Sequence, residues 1–432
     1  MCPQASFNSS SFPIGSFKRK KVKPSFVDLN PPQTNALKVS WLDKLFRDQF
    51  IALFSQLNDG FLVLDDPIER LIFGESNSDL HCRVVIKDLS IYKQIALGGS
   101  NGAAQAYIDG LWASDNPTSL IRILIRNETL LDGIESGLNK ITQSLLKIWH
   151  GRKHNSKSGS KKNIAAHYDL GNDFFRLFLD NKMMYSSALY QAGDDLETAS
   201  DRKLDRICSS LKINADDHVI EIGTGWGGFA CYAATATGCK VTTITISNEQ
   251  FNEAQAQVKE QKLEHLVTVK LLDYRDIEGQ FDKLVSIEMI EAVGHQYLDG
   301  YFAKINSLLK PNGTALIQAI VIEDDRYEQA LKEVDYIKRF IFPGSFIPSY
   351  EIISRSANNN QLQHIETYDM GKSYAQTLRD WRLRFYQNNQ KFDKQRYDDR
   401  FKRMWEFYLC YCEGGFEERR ISVGQIMFTK TV

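Results

Sequence analysis

The chain has 432 residues, 43% of them hydrophobic, with 53 Lys and Arg set against 54 Asp and Glu. That length supports a large core and two domains, and the balanced charge argues against a nucleic-acid partner, so any basic surface must be local. Seven cysteines at low density argue against a disulfide framework and fit a reducing cytoplasm; only Cys410 and Cys412 lie close together, so no zinc site is completed and no metal is expected.

Residues 1–35 read as a disordered tail, rich in Ser and Pro. The run Lys18-Arg19-Lys20-Lys21-Val22-Lys23 reads as a solvated tail or, more sharply, as an anchor on anionic lipid headgroups, where each cation adds about 1 kcal/mol. The N-terminus has no apolar core or cleavage signature of a signal peptide, and no window approaches the roughly 18 apolar residues of a spanning helix. Residues 36–150 read as a small α+β domain. Its strands are Phe61–Leu64 and Cys82–Ile86, and its helices include Ala103–Leu111 and Pro117–Ile125. Residues 151–163, GRKHNSKSGSKKN, carry five cations and no acid, which gives a basic linker that could touch phospholipid headgroups.

From residue 164 to 432 strands and helices alternate. Strands are expected at 219–222, 240–246, 267–272, 283–287 and 314–322, with helices at 228–237, 248–263 and 297–309. This spacing implies an α/β, doubly wound, Rossmann-like parallel sheet. Mostly helical insertions follow at 324–360 and 373–413, and Ile421–Thr429 has strand composition.

The strongest local signal is a strand running into a glycine-rich turn and a helix, Val219-Ile220-Glu221-Ile222-Gly223-Thr224-Gly225-Trp226-Gly227-Gly228. Such glycines permit positive φ and close approach of a ligand to the backbone. Three details favour S-adenosylmethionine over a dinucleotide. Glu221 precedes the first glycine by two, where a carboxylate can face a cation. The turn reads G-x-G-x-G-G rather than G-x-G-x-x-G. The next strand ends Thr245-Ile246-Ser247-Asn248-Glu249-Gln250, without the acid that terminates an NAD-binding strand. Asp273-Tyr274-Arg275-Asp276 closes the third strand, where adenine contacts are expected.

Further segments are AHYDLGNDFF at 166–175, MYSSA at 184–188, FIFPGSFIPS at 340–349 and CEGGF at 412–416. Together with EIGTGWGG, TISNEQ and DYRD, in this order, they resemble the cyclopropane-fatty-acid synthase family, which includes the mycolic acid cyclopropane synthases. A weaker match upstream, AYIDGLW at 106–112, is similar to the longer bacterial synthases. The resemblance implies that a cis alkene of a phospholipid acyl chain attacks the methyl group of S-adenosylmethionine. The carbocation then loses a proton to bound bicarbonate and the ring closes. It also implies that Tyr185, Ser186, Glu221, Gly223, Gly225, Trp226, Gly227, Thr245, Ile246, Gln250, Tyr274 and Arg275 hold the cofactor. Glu291 would orient bicarbonate, Tyr374 would donate to it, and Cys412 would lie near the site in a structural role. By the same resemblance the protein works as a peripheral enzyme on the inner face of the membrane, with an N-terminal domain that docks on lipid and dimerises.

An alkene offers no polar handle, so the site must supply apolar walls, placement and a dry environment. Aromatic faces can stabilise a passing carbocation; Phe174, Phe175, Tyr185, Phe342, Phe346, Tyr374 and Phe385 are candidates, each with ordinary core packing as the plain alternative. Glu288, three residues before Glu291, could share a helical face with it or simply be a capping carboxylate. The chain departs from the family pattern at three points. Ser187 stands where many members have Cys, Gln318 where many have His, and Ala292 follows Glu291 where His is usual. Ser and Gln can still hydrogen-bond an anion, but Gln cannot titrate. A methyl-branched or methylene product is therefore an alternative to the ring. Methylation of another small-molecule acceptor is a further reading, as is a lipid-binding protein without activity.

Overall fold

The computed structural model describes residues 29–30, 40–135, 170–393 and 395–431. The basic run 18–23, the linker 151–163 and residues 166–169 of the AHYDLGNDFF segment lie outside them.

The N-terminal part opens with α1 (Trp41–Phe54), capped by the Ser40 hydroxyl, and continues into β1 (Phe61–Asp65), β2 (Arg70–Gly74) and β3 (His81–Ile86). The β1–β2 turn is tight because Asp66 Oδ1 accepts from the backbone N–H groups of Ile68 and Glu69. Helix α2 (Ser90–Ile108) breaks at Gly99, whose φ is 57°, and leads to β4 (Trp112–Ser114). The sheet order is β2-β1-β3-β4. Asn116 caps α3 (Pro117–Arg126) with Pro at the helix start, and α4 (Glu128–Glu135) follows.

The larger part begins with the short helix α5 (Asn172–Phe175) and α6 (Leu196–Ser210). It then alternates β5 (His218–Ile222), α7 (Gly228–Thr237), β6 (Lys240–Thr245), α8 (Asn248–Glu260), β7 (Val267–Leu271), β8 (Phe281–Ile287), α9 (Leu298–Leu308) and β9 (Leu309–Ile322). After α10 (Tyr327–Lys332) and α11 (Tyr350–Asn359) come β10 (Leu362–Asp369), α12 (Gly371–Gln387), α13 (Asp399–Glu417) and β11 (Ile421–Lys430). The seven strands are ordered β10-β11-β9-β8-β5-β6-β7. All neighbours from β9 to β7 are parallel, while β11 runs antiparallel to β9 and β10 antiparallel to β11. The chain leaves β5 towards β6 on one side and returns to β8 on the other. The switch point therefore lies at the carboxyl ends of β5 and β8, where an open α/β sheet leaves a crevice.

The α/β sheet matches the architecture expected from the sequence. Three strands were not foreseen: β2 and β10 are mostly exposed, and β4 has three residues, so none carries a buried alternating pattern.

Helices α12 and α13 roof the crevice. Tyr374, Leu378, Trp381 and Phe385 form one buried stripe of α12. Helix α13 also packs on α3, joining the two parts. Nearby, Arg122 and Arg126 both donate to Glu418, at 2.6 and 2.9 Å, Asn101 Nδ2 donates to the Val334 carbonyl at 2.6 Å, and Arg403 Nε donates to that of Ile108 at 2.8 Å.

Candidate active site

A cavity of about 970 Å³ opens at the switch point and runs beneath α12 and α13 to the inner face of the N-terminal sheet. Its volume lies at the upper end of ordinary ligand pockets, roughly 300–1,000 Å³.

One wall is the glycine-rich turn. Gly223 and Gly225 have φ of 98° and 53°; a Cβ at Gly223 would press on Met289 at 3.3 Å, whereas one at Gly225 would meet nothing within 4 Å, so the backbone is open towards the cavity at Gly225. Gly227 is not on the wall. It has φ 96° at the start of α7 and packs on Ala254. Glu221 is buried at the end of β5, and its Oε2 accepts from Thr243 Oγ1 at 2.6 Å. Burial pushes its carboxyl up to about 8, so a cationic ligand would find a partner that ionises to meet it. Trp226 lines the cavity with its indole N–H held by Asn172 Oδ1 at 2.7 Å. Thr245, Ile246 and Gln250 line the next stretch, with Thr245 Oγ1 donating to Gln250 Oε1 at 2.8 Å. Tyr274 and Arg275 follow, the latter paired with Asp273. Tyr185 and Ser186 complete this end, Ser186 Oγ accepting from the fully buried Lys203 at 2.8 Å. Bare glycine backbone, a buried carboxylate and polar side chains at successive strand ends form a set that fits S-adenosylmethionine.

The acceptor end is apolar and aromatic. Tyr185, Phe342, Phe346 and Tyr374 stand on the wall, joined by Tyr408, whose hydroxyl meets that of Tyr185 at 3.0 Å. Phe174, Phe175 and Phe385 are fully buried in an aromatic cluster and do not line the cavity; Phe175 backs its wall, 5.3 Å from Tyr185 and 4.9 Å from Trp226 between centroids, so these three are core residues, not candidates for meeting a carbocation. The N-terminal part adds the aliphatic side chains Leu62, Val84, Leu120 and Ile121, beside Phe50, Phe54, Trp112 and Asp132.

Between the two ends lies a carboxylate pair. Glu291 Oε1 accepts from the Ile320 N–H at 2.6 Å, while its Oε2 is buried with no hydrogen-bond partner among the described residues. Burial and the neighbouring Glu288 carboxylate push Glu291 up to about 8. Glu288 does not share a helical face with Glu291: it directly follows β8 with φ 48°, ahead of the short 3₁₀ turn Ile290–Ala292. This backbone turns its carboxylate into the space between Ser187, Gln318 and Tyr374. Glu288 Oε1 accepts from the Ser187 N–H and from Gln318 Nε2, both at 2.8 Å, and Oε2 accepts from the Tyr374 hydroxyl at 2.7 Å. Burial raises the Glu288 carboxyl, and these donors together with Lys203 oppose that rise.

Ser187 and Gln318 do not themselves reach the cavity. The Ser187 hydroxyl donates to the Ala188 carbonyl, and Gln318 Oε1 accepts from Gln425. The donors expected to hold bicarbonate thus already converge on Glu288, so these residues do not fit a bound bicarbonate. Cys412 is on the cavity wall, and burial pushes its thiol far above its ordinary value, away from nucleophilic behaviour. Lys203 and Tyr408 were missed by sequence reading. Lys203 was findable, since Leu196, Ala199, Ser200, Lys203, Leu204 and Ile207 form one buried stripe of α6.

The profile of the mycolic acid cyclopropane synthetase family matches residues 155–426. The chain is 35% identical over 346 residues to a tuberculostearic acid methyltransferase of Mycobacterium tuberculosis, covering 78% of this chain and 80% of that protein. It is 34% identical to the cyclopropane-fatty-acyl-phospholipid synthase of Escherichia coli strain K12, covering 84% and 90%. Among solved structures, mycolic acid cyclopropane synthase CmaA1 complexed with SAH and CTAB superposes with TM-score 0.59 at 27% identity, covering 62% of this chain and 98% of that one. With the glycine-rich turn and Glu221 facing one cavity, the chain belongs to the mycolic acid cyclopropane synthetase family and is an S-adenosylmethionine-dependent methyltransferase.

Proposed function

We propose that the protein transfers a methyl group to a cis double bond in the unsaturated acyl chain of a membrane phospholipid. The observation that carries this reading is the continuity of the cavity from the Glu221 end to an aliphatic limb lined by Leu62, Val84, Leu120 and Ile121. A hydrocarbon chain lying along Leu62, Val84, Leu120 and Ile121 gains about 25 cal/mol for each Å² it buries. S-adenosylmethionine supplies an electrophilic methyl on a sulfonium. Glu221 balances the cation, the glycine-rich turn, open at Gly225, lets the cofactor lie against the backbone, and Trp226, Thr245, Ile246, Gln250, Tyr274 and Arg275 fix its position. Tyr185, Phe342 and Tyr374 present ring faces to the developing carbocation. Glu291 and Tyr374 flank the reacting carbon, with Ser187, Gln318 and Cys412 supporting the wall. The relatives support both a cyclopropane and a methyl-branched product, since one is named for each. Bicarbonate has no place in this reading, because Glu288 occupies the donors that would hold it.

No helix among the described residues is long and apolar enough to cross a membrane. In this reading the enzyme takes its substrate from the cytoplasmic face of a bilayer as a peripheral protein. Residues 36–150 form the docking domain, which also supplies a homodimer contact, and the basic segments 18–23 and 151–163 meet the headgroups. Mass spectrometry of phospholipid acyl chains from cells expressing the full chain tests this. A gain of one CH₂ that abolishes reactivity towards alkene reagents means a cyclopropane, and a gain that keeps it means a methylene product. No gain over an empty control, with good expression, sinks the reading.

A further inference from the structure

We infer that Glu288 is a built-in replacement for a dissolved anion: its carboxylate is the proton acceptor of the reaction, and the enzyme turns over without bicarbonate. This rests on the proposed methylation of an alkene and deepens it.

The geometry carries the inference. Three donors from three separate segments, the Ser187 N–H, Gln318 Nε2 and the Tyr374 hydroxyl, converge on one carboxylate at 2.7–2.8 Å. Such a cradle is satisfied by an acceptor-only group, which is what an ionised carboxylate is. Glu288 lines the cavity beside Tyr374 while Ser187 and Gln318 lie behind it, so the carboxylate stands between those two donors and any substrate. Lys203, buried behind Ser186, adds a positive charge to the same side. Glu291 sits next to Glu288 with one oxygen lacking a partner among the described residues. Two neighbouring buried carboxyls cannot both ionise freely. Glu288 has the three donors and Glu291 one, so Glu288 carries the charge and Glu291 the proton.

The chemistry balances. The alkene's π pair forms a C–C bond to the methyl carbon as the C–S bond breaks and sulfur keeps that pair. The neighbouring carbon becomes a cation. Glu288 takes a proton from the new methyl, the C–H pair closes the ring, and the carboxyl later returns the proton to water. Protons beside a carbocation are strongly acidic, so position rather than basicity limits this step. A fixed negative charge also stabilises the cation that forms in front of it.

The test uses the full chain, vesicles of an oleoyl phospholipid and CO₂-free buffer, with and without added bicarbonate. Wild-type turnover is expected to change less than twofold between them. Glu288→Gly should lose about 100-fold or more in turnover, with S-adenosylmethionine affinity unchanged, and regain rate with bicarbonate or formate. Glycine suits the positive φ at this position, so that variant is expected to fold. In parallel, ¹³C-labelled bicarbonate followed by NMR should bind saturably to Glu288→Gly and not to wild type. Wild-type turnover that collapses without bicarbonate, wild-type binding of the labelled ion, or Glu288→Gly active within threefold in CO₂-free buffer would each overturn the inference. So would a Glu288→Gly enzyme that neither binds the ion nor is rescued. If no acyl chain is methylated in any buffer, the underlying function fails on its own, and the binding measurement still decides whether Glu288 fills an anion site.

Discussion

Tyr374→Phe removes one oxygen and leaves the ring, which packs 4.4 Å from Phe416 and 6.1 Å from Trp381 between centroids. What is lost is the 2.7 Å bond to Glu288 Oε2. A hydrogen bond to a charged acceptor is worth roughly 1.5–3 kcal/mol, and each 1.4 kcal/mol is tenfold, so kcat should fall about 10- to 100-fold on the acidic limb of the pH–rate profile, where Glu288 takes up its proton. The same bond favours ionised Glu288, so its removal raises that carboxyl, and the acidic limb of the pH–rate profile should move up by about 1–2 pH units. The other groups facing Glu288 are the Ser187 N–H, Gln318, Lys203, Glu291 and, through the Tyr185–Tyr408 pair, the roof of the cavity; none is altered. The deficit should therefore shrink at high pH, while the KM for S-adenosylmethionine stays near wild type and the melting temperature falls by about a few degrees. The assay is the initial rate of acyl mass gain on oleoyl vesicles across pH. A kcat within twofold of wild type on the acidic limb, or a loss of equal size at every pH, would refute the assignment of this hydroxyl to a base.

Thr243→Val deletes the donor to Glu221, and calorimetry should show S-adenosylmethionine binding about tenfold weaker, on the order of 1.5 kcal/mol; unchanged affinity would mean that Glu221 does not hold the cation. Glu221 and Glu291 rise from 4.5 to about 8 through burial, so the folded state keeps protons that the unfolded chain releases between those values. Their contribution is complete below pH 4.5 and is lost as pH climbs to 8; burial lowers Lys203 from 10.5 to about 8, so its contribution grows from pH 8 to 10.5. Denaturant titrations of the ligand-free protein should accordingly show a stability minimum near pH 8, and a stability that rises between pH 5 and 8 would contradict the burial of these carboxyls. Val84→Phe narrows the aliphatic limb and should raise the KM for oleoyl lipid at least tenfold without altering cofactor affinity; an unchanged KM would place the acyl chain elsewhere.

What the sequence showed follows how local each signal was. The cofactor turn was legible because strand, glycines and helix are contiguous, and each needs only its own backbone. Glu291 and Tyr374 were legible through ordered motifs. Glu288 read as one of two adjacent acids because its role depends on partners 101, 30 and 86 residues away, and on a left-handed φ that no periodicity announces. The same distance effect separated the aromatic candidates: Phe174 and Phe385 belong to a buried cluster with Trp405, while Phe342 reaches the cavity, and nothing in their local composition distinguishes them.

A borrowed anion must be captured for each turnover, whereas a side chain is held in place by folding. The burden then falls on stability. Glu288 adopts φ 48°, a region that disfavours most side chains by roughly 1–2 kcal/mol, and it buries a charge beside a second carboxyl. Glycine at 288 relieves the backbone and removes the charge, against an entropic loss of roughly 0.5–1 kcal/mol, and the freed donors face a cavity wide enough for water. Glu288→Gly should therefore melt no lower than wild type while turning over far more slowly. Strain held where chemistry happens has this signature, a variant that gains or keeps stability as it loses function. If Glu288→Gly instead melts several degrees lower, the three hydrogen bonds outweigh the strain, and Glu288 is a strut of the fold before it is a base.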